Sequence, residues 1–392
     1  MGPVRTIALL GGGQLGRMFM ENALRYDVAV NAMDPDPFAP CAGIAHRFVV
    51  GDLSDKDTVL RFAEDADVVG IEIEHVNVDA LIELKRRGKR VVPDPEVLRT
   101  IKDKGLQKDF YRMHGIPSAP YALINGRKEI AQHSDLLPAF LKTRSGGYDG
   151  KGVMPVGPDE PFIDPVKAAL TGFDGPCVLE QRVDIAMELA VLVVRSDSGE
   201  QLAYDPVEMV FDPRFNLVDH LRAPARIPPA RAEEAQQLAL RVAQAFGAPG
   251  LYAVELFLTT EGILLVNETA PRAHNSGHHT IEACASSQFD QLLRAYMGWP
   301  LGDVALRSPA AMINLVGEGG QGIPQVLGLE ELLRTPGAFP HVYGKKETRT
   351  GRKMGHVTVM ASDHAALNDA ITLTRSLCKV VPLNATILDR TE

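Results

Sequence analysis

The chain has 392 residues, with 41 lysines and arginines against 50 aspartates and glutamates, for a formal charge of −9. That balance argues against general nucleic-acid binding, and 45% hydrophobic residues describe a globular protein with no apolar run near the ~20 residues needed to span a bilayer. Cys41, Cys177, Cys284 and Cys378 lie too far apart for a Cys-x-x-Cys metal or redox site, and such usage suits a reducing cytoplasm.

Length predicts two or three domains. The N-terminus runs directly into a buried-strand pattern, Arg5-Thr-Ile-Ala-Leu-Leu10, so no leader is expected. A helix opens near Leu15. Val28–Met33 and Arg47–Val50 read as further strands, and Asp67–Glu74 as a fourth. This rhythm predicts a parallel, doubly wound sheet with ligands at the carboxyl ends of its strands.

Between the first strand and helix lies Gly11-Gly-Gly-Gln-Leu-Gly16, with Asp34 at the end of the second strand. The spacing fits a dinucleotide site, but glycines before a helix N-terminus equally bind another phosphate or permit close packing. Glu72 and Glu74, two apart, fall on one face of the fourth strand, followed by His75. They could grip ligand amines and hydroxyls, or form a solvated strand end.

Residues 95–113 read as one helix, with Leu98, Ile101, Leu106 and Phe110 on one face and Lys102, Lys104 and Lys108 on the other, ordinarily solvated face. Gly115, Pro117 and Pro120 end it and mark a boundary. An apolar run, Pro138–Leu141, then delivers Lys142, followed by Thr143-Arg-Ser-Gly-Gly-Tyr-Asp-Gly-Lys-Gly152 and a strand pattern at Val153–Val156. No Gly-Lys-Ser/Thr leads into a helix, so this is not the Walker pattern. Glycine N–H groups and the cations Arg144 and Lys151 suit a flap closing over nucleotide phosphates; a plain hairpin is the alternative.

Pro176–Val183 reads as a strand offering Glu180. Glu188 sits in the otherwise apolar Ala186–Val194, and such a carboxylate needs an ion-pair partner or a ligand hydroxyl. Gly250–Leu258 and Gly262–Glu268 resemble two strands of a hairpin, carrying Glu255, Asn267 and Glu268. Two carboxylates in apolar settings point to a magnesium ion carried on nucleotide phosphates, or to salt bridges with Arg272 or a lysine. His274 and His278 are four apart, but Pro271, Asn275 and Gly277 oppose a helix, so a polar ligand-binding loop is preferred to a zinc site. Tyr343-Gly-Lys-Lys346 and Arg349–Lys353 gather cations suited to a phosphate or to a solvated charge run.

In order, Gly11–Met18, Glu72–Val76, Lys142–Gly152, Asn267-Glu268, Pro271–His278, Tyr343–Lys345 and Gly351–His356 resemble the ATP-grasp superfamily and, within it, the 5-(carboxyamino)imidazole ribonucleotide synthases of purine biosynthesis. The resemblance spans nearly the whole chain. It implies an α/β (overall α+β) fold with a doubly wound ribonucleotide-binding domain over 1–95. An ATP-grasp domain would follow over 96–300, with 115–183 as its lid, and then a small C-terminal domain over 301–392. It also implies ATP, two Mg²⁺ ions with Mn²⁺ as a substitute, bicarbonate and 5-aminoimidazole ribonucleotide. A homodimer and hand-off to a mutase are implied as well.

Matched motif by motif, ATP would contact Lys104, Lys142, the flap Gly147, Tyr148, Asp149, Gly150, Lys151, Gly152 and Val153, then Glu180, Gln181, Arg182, Val183, Glu188, Asn267 and Glu268. Glu180 would accept from the adenine amino group and Glu188 would hold the ribose. Glu255 and Glu268 would hold metal. The ribonucleotide would meet Gly13, Gln14, Leu15, Glu74, Arg272, His274, Lys345, Arg352 and Lys353. Tyr148, Asp149, Lys151, Arg272, His274 and Lys353 would carry the catalysis. Lys151 stands where arginine is common, His279 where tryptophan is usual, and Met209 follows Glu208 where asparagine is common.

Overall fold

The computed structural model describes residues 5–146, 152–157, 173–212 and 217–383. The N-terminal unit follows the predicted rhythm: β1 (Thr6–Leu10), α1 (Gln14–Leu24), β2 (Ala29–Asp34), β3 (Arg47–Val50), α2 (Lys56–Phe62), β4 (Val68–Ile71), α3 (Val78–Arg86) and β5 (Arg90–Val92). The strands form a parallel sheet in the order β3-β2-β1-β4-β5, so the chain reverses direction of growth between β1 and β4. Ligands of such sheets gather at that switch point. Side chains of Asp55 and Asn77 cap α2 and α3, which explains where each helix begins.

The single helix expected over 95–113 is two: α4 (Pro95–Lys102) and α5 (Lys104–Met113), divided at Asp103. Asp103 takes extended backbone angles (φ −110°, ψ 109°) and its side chain accepts from Gly105 N and Leu106 N. That cap restarts the helix and alters its facing. Lys108 is consequently buried and Leu106 exposed, the reverse of the amphipathic reading.

A four-stranded antiparallel sheet follows in the order β6-β9-β7-β8, formed by β6 (Tyr121–Ile124), β7 (Ala139–Thr143), β8 (Val153–Val156) and β9 (Cys177–Gln181). Lys142 pairs with Val153, and Thr143 N donates to Gly152 O at 2.9 Å, so the glycine segment does connect two paired strands.

The largest sheet is antiparallel and nine-stranded. It contains β10 (Ile185–Arg195), β11 (Gln201–Ala203), β12 (Val207–Asp212), β13 (Leu217–Ala223), β14 (Gly250–Thr259) and β15 (Leu264–Ala270). One face of β10, β14 and β15 packs on α6 (Pro229–Phe246) through Leu238, Val242, Val191 and Val254. The chain then passes through α7 (Thr280–Ala283) and α8 (Gln288–Met297).

Beyond α8 come β16 (Ala310–Val316), β17 (Pro324–Leu327), α9 (Leu329–Leu333), β18 (Ala338–Val342), β19 (Lys353–Met360), α10 (His364–Leu377) and β20 (Lys379–Pro382). Strand β16 pairs directly with β13, so β16, β19 and β18 continue the large sheet. The C-terminal segment adds its own core of Ile313, Leu315, Val357, Leu367 and Ile371.

Helix α8 binds the N-terminal unit to this sheet. Tyr296 packs on Phe19 with ring centroids 5.3 Å apart, and its hydroxyl donates to Ile71 O and accepts from Ile71 N, both at 3.2 Å. Arg90 donates to the carbonyls of Ala295 and Tyr296. These contacts hold the end of β4 in place against the rest of the chain. Among the described residues no helix is long and apolar enough to cross a membrane.

Candidate functional site

The glycine turn before α1 is closed by this chain's own carboxylates. Gly12 N donates to Asp34 Oδ2 at 2.8 Å, and Leu15 N donates to Glu72 Oε1 at 3.1 Å. A Cβ on Gly13 would stand 2.5 Å from Glu72 Oε1, so only glycine lets the carboxylate approach. Asp34 and Glu72 thus occupy donors that a pyrophosphate would need. These bonds oppose the dinucleotide use of the turn, and Asp34 is not presented as a ribose ligand. Strand β4 ends at Ile71, not Glu74, because Glu72 turns toward these donors. Gly13, Gln14 and Leu15 remain half-buried at this turn.

Glu74 reaches across to Arg272, 2.9 Å away, in the segment after β15. Burial works against the Arg272 charge, but Glu74 and then Glu72 outweigh it and raise its pKa. A small cavity lined by Leu9, Leu15, Glu72 and Arg272 separates the glycine turn from this pair. Arg272 is therefore one of the points where the N-terminal unit meets the segment that follows the large sheet's β15.

The nucleotide-side candidates form a network of lysines and carboxylates. Lys104 Nζ donates to Glu268 Oε2 at 2.6 Å. Lys142 Nζ lies 2.7 Å from Glu180 Oε1 and Lys108 Nζ 2.5 Å from Glu180 Oε2. Lys104 and Lys108 do not form a solvated face, because the restart at Asp103 brings them inward. Each oxygen of Glu180 faces an ammonium group, Oε1 that of Lys142 and Oε2 that of Lys108. Lys108 was not anticipated as part of the site; the signal was Asp103 before Lys104-Gly105, a helix-capping pattern inside an apparently continuous helix.

Glu255 Oε2 accepts from Asn267 Nδ2 at 3.4 Å, and its Oε1 lies 3.5 Å from His274 Nε2. Burial, then the nearby Glu268 and Glu188, push the Glu255 carboxyl up to about 8. Lys104 holds Glu268 down at about 2. Burial raises Glu188 to about 7, with Lys142 opposing. Three carboxyl groups and one amide crowd between β10, β14 and β15, and two of the carboxyls resist ionising without added positive charge. This set suits a hard divalent cation riding on phosphates, which needs only one or two protein carboxylates. The ion-pair alternative is also present, in the Lys104–Glu268 bond.

Gln181 closes β9, with Arg182 and Val183 after it, and Arg182 N donates to Pro138 O. Gly152 and Val153 stand at the start of β8. Gly147, Tyr148, Asp149, Gly150 and Lys151 lie outside the described residues. Arg144, read as a phosphate cation, is instead held by Asp103 through two bonds of 2.7 Å.

His274 and His278 turn to different partners. His274 Nδ1 pairs with Ser276 Oγ at 2.9 Å, whereas His278 Nδ1 lies 3.0 Å from Gln288 Nε2. His278 then begins a stack of imidazoles, 4.7 Å to His356 and 4.4 Å from there to His341. Tyr343 Oη bonds His356 Nδ1 at 3.0 Å, and His341 Nε2 bonds Glu282 Oε1 at 2.7 Å. The stack fastens the His274 loop to β18 and β19. In the following basic loop, Lys345 Nζ donates to Lys353 O and Arg352 Nη1 to Glu347 O, each at 2.7 Å. Gly344 abuts Arg17 of α1, since a Cβ there would stand 3.0 Å from Arg17 Nη1. The basic loop thus borders the helix that carries the glycine turn.

Burial lowers His278 and His356 well below the usual imidazole range and His279 to about 4. These groups fold neutral and titrate near 6.5 when unfolded. Their contribution is complete above about pH 6.5 and is lost as pH falls below it, for His279 through about 4. Denaturant unfolding at about pH 5 should show stability lower than at about pH 7.5, by on the order of 1–2 kcal/mol per such histidine. Equal or greater stability at the acidic value would contradict the neutral, buried assignment.

Three family models match the chain: a ribonucleotide synthetase preATP-grasp domain over residues 4–102, an ATP-grasp domain over 109–289, and a phosphoribosylaminoimidazole carboxylase C-terminal domain over 310–370. The chain is 37% identical to N5-carboxyaminoimidazole ribonucleotide synthase of Bacillus subtilis, across 91% of this chain and 92% of that protein. It is 36% identical to a chloroplastic phosphoribosylaminoimidazole carboxylase of Vigna aconitifolia, across 94% of this chain but 66% of that longer protein. Its fold matches the Aspergillus clavatus N5-carboxyaminoimidazole synthase crystallised with ADP and 5-aminoimidazole ribonucleotide. That match has a TM-score of 0.85 and 34% identity and covers 96% of this chain and 98% of that one.

Proposed function

Since the chain belongs to the N5-carboxyaminoimidazole ribonucleotide synthase family, we propose that it uses ATP and bicarbonate to carboxylate the amine of 5-aminoimidazole ribonucleotide. The observation that carries this reading is the segment from Asn267 to His274. It reaches Lys104 through Glu268, Glu255 through Asn267 and His274, and Glu74 of the N-terminal unit through Arg272. One stretch of chain thereby joins a nucleotide-side network to the groups assigned to the ribonucleotide.

In this reading a bicarbonate oxygen attacks the γ-phosphorus, ADP leaves, and carboxyphosphate forms. The ribonucleotide amine then attacks the carboxyl carbon, directly or after release of carbon dioxide. Phosphate departs with the bridging oxygen and the amine loses a proton. Lys104 and Lys142 neutralise ATP, under a flap of Gly147, Tyr148, Asp149, Gly150, Lys151, Gly152 and Val153. Gln181, Arg182 and Val183 border the base, and Glu188 holds the ribose. Glu255 and Glu268, with Asn267 beside them, would hold Mg²⁺, two ions in the full complex, or Mn²⁺ in its place. Such ions offset the repulsion between the anion and the γ-phosphate.

Gly13, Gln14, Leu15 and Glu74 cradle the ribonucleotide, and Arg272, Lys345, Arg352 and Lys353 meet its phosphate. Tyr148, Asp149, Lys151 and His274 shelter the labile intermediate from water. The same reading makes the protein a cytoplasmic homodimer that hands its product to a mutase.

Two measurements follow. ADP release should require bicarbonate and rise sharply when aminoimidazole ribonucleotide is added; release indifferent to the ribonucleotide would overturn the proposal. Lys353→Ala should raise the KM for the ribonucleotide roughly ten- to a hundredfold while leaving that for ATP nearly unchanged, as loss of a charge-assisted bond predicts. Equal effects on both substrates would move Lys353 out of the phosphate site.

A further inference from the structure

Arg144 opens the flap, one residue beyond β7, and its two ends are both bound to the junction of α4 and α5. Its carbonyl accepts from Lys104 N at 2.8 Å. Its guanidinium grips Asp103 in a fork, Nε to Oδ1 and Nη2 to Oδ2, each 2.7 Å. The same Asp103 Oδ1 caps α5 through Gly105 N at 2.8 Å. A Cβ on Gly105 would stand 2.6 Å from Arg144 Nε, so the guanidinium lies against the first turn of α5, where only glycine leaves room. The residue between Asp103 and Gly105 is Lys104, whose ammonium reaches Glu268. Thr143 N to Gly152 O closes the other side of the flap's root.

We propose that Asp103 and Arg144 are a positioning pair, setting the root of the flap against Lys104 so that both address one nucleotide. The inference rests on the ATP-dependent reading above. Neither side chain touches the nucleotide in this account. Arg144 serves through Asp103, which is why a planar, two-point donor stands there and not a lysine. A pair acting as a unit is lost once, whichever member is removed.

Asp103→Ser retains a helix-capping oxygen and removes the fork; Arg144→Ala removes it from the other side. Calorimetry with MgATP should show each variant binding about tenfold more weakly than the parent, with the double variant no weaker than either single one. The KM for the ribonucleotide should stay within about twofold of the parent. Arg144→Lys, which keeps the cation without the fork, should fall between parent and Arg144→Ala. Parent-like MgATP affinity in both single variants, losses that multiply in the double variant, or an equal shift in ribonucleotide KM would each overturn the pairing. If the parent itself fails to bind MgATP, the ATP-dependent reading falls, a result separate from any difference among variants.

Discussion

Glu268→Gln should lower turnover by about a thousandfold or more while leaving the folded state nearly as stable as the parent. Glu268 accepts from Lys104 and borders Asn267 and Glu255, so its charge stands where a nucleotide-borne cation would be balanced. A divalent ion contributes several kcal/mol to stabilising transferred charge, and each 1.4 kcal/mol is about tenfold in rate. Lys104 loses its partner in this variant, but the Glu268 side chain is 45% exposed, so solvent screens the pair and the cost to stability is modest. Glu255→Gln should lose turnover comparably. Its side chain is more enclosed, at 17% exposed, and removing one of two crowded carboxylates should leave stability equal or higher. Steady-state rates at saturating Mg²⁺ with thermal unfolding check both. Near-parent turnover in either variant would remove that residue from the cation site.

The largest effect on stability is expected from Glu180→Gln. Glu180 is 2% exposed and Lys108 4%, and both Lys108 and Lys142 converge on this one carboxylate. Burial alone would raise the Glu180 pKa, yet Lys108 and Lys142 hold it below the ordinary value. Without the charge, two ammonium groups share a buried site and lose the carboxylate they both contact. Breaking such a buried group by removing one member costs about 3–5 kcal/mol. Burial already lowers the Lys108 pKa and Glu180 is what opposes that. In the variant Lys108 sheds its proton more easily, and part of the stability should return as pH rises. Urea unfolding of Glu180→Gln, with Lys108→Met/Glu180→Gln recovering part of the loss, is the check. A loss below about 1 kcal/mol would show that the lysines do not depend on Glu180.

What could be read beforehand was what depends on local pattern. Alternating strands and helices placed β1 to β4, glycines between two apolar runs placed the flap between β7 and β8, and two short strands placed Glu255 and Glu268 on β14 and β15. What escaped depends on tertiary partners. Nothing local distinguishes Lys108 from a solvated lysine until Asp103 restarts the helix and Glu180 arrives from β9. Asp34 looks like a ribose ligand until its carboxylate is seen on Gly12 N. Arg144 looks like a phosphate ligand until Asp103 is seen holding it. The pairing of β13 with β16 is likewise invisible locally, because its register is set between segments far apart in sequence.

Bicarbonate labelled with ¹⁸O offers the most direct test of ATP-driven carboxylation. Formation of carboxyphosphate makes a bond between a bicarbonate oxygen and the γ-phosphorus, and attack by the amine at carbon leaves that oxygen on phosphorus. With ATP and aminoimidazole ribonucleotide present, phosphate released by this protein should carry about one labelled oxygen per carboxylated product. Unlabelled phosphate formed in step with product would contradict the account, because the γ-phosphoryl group would then have gone to water and not to bicarbonate.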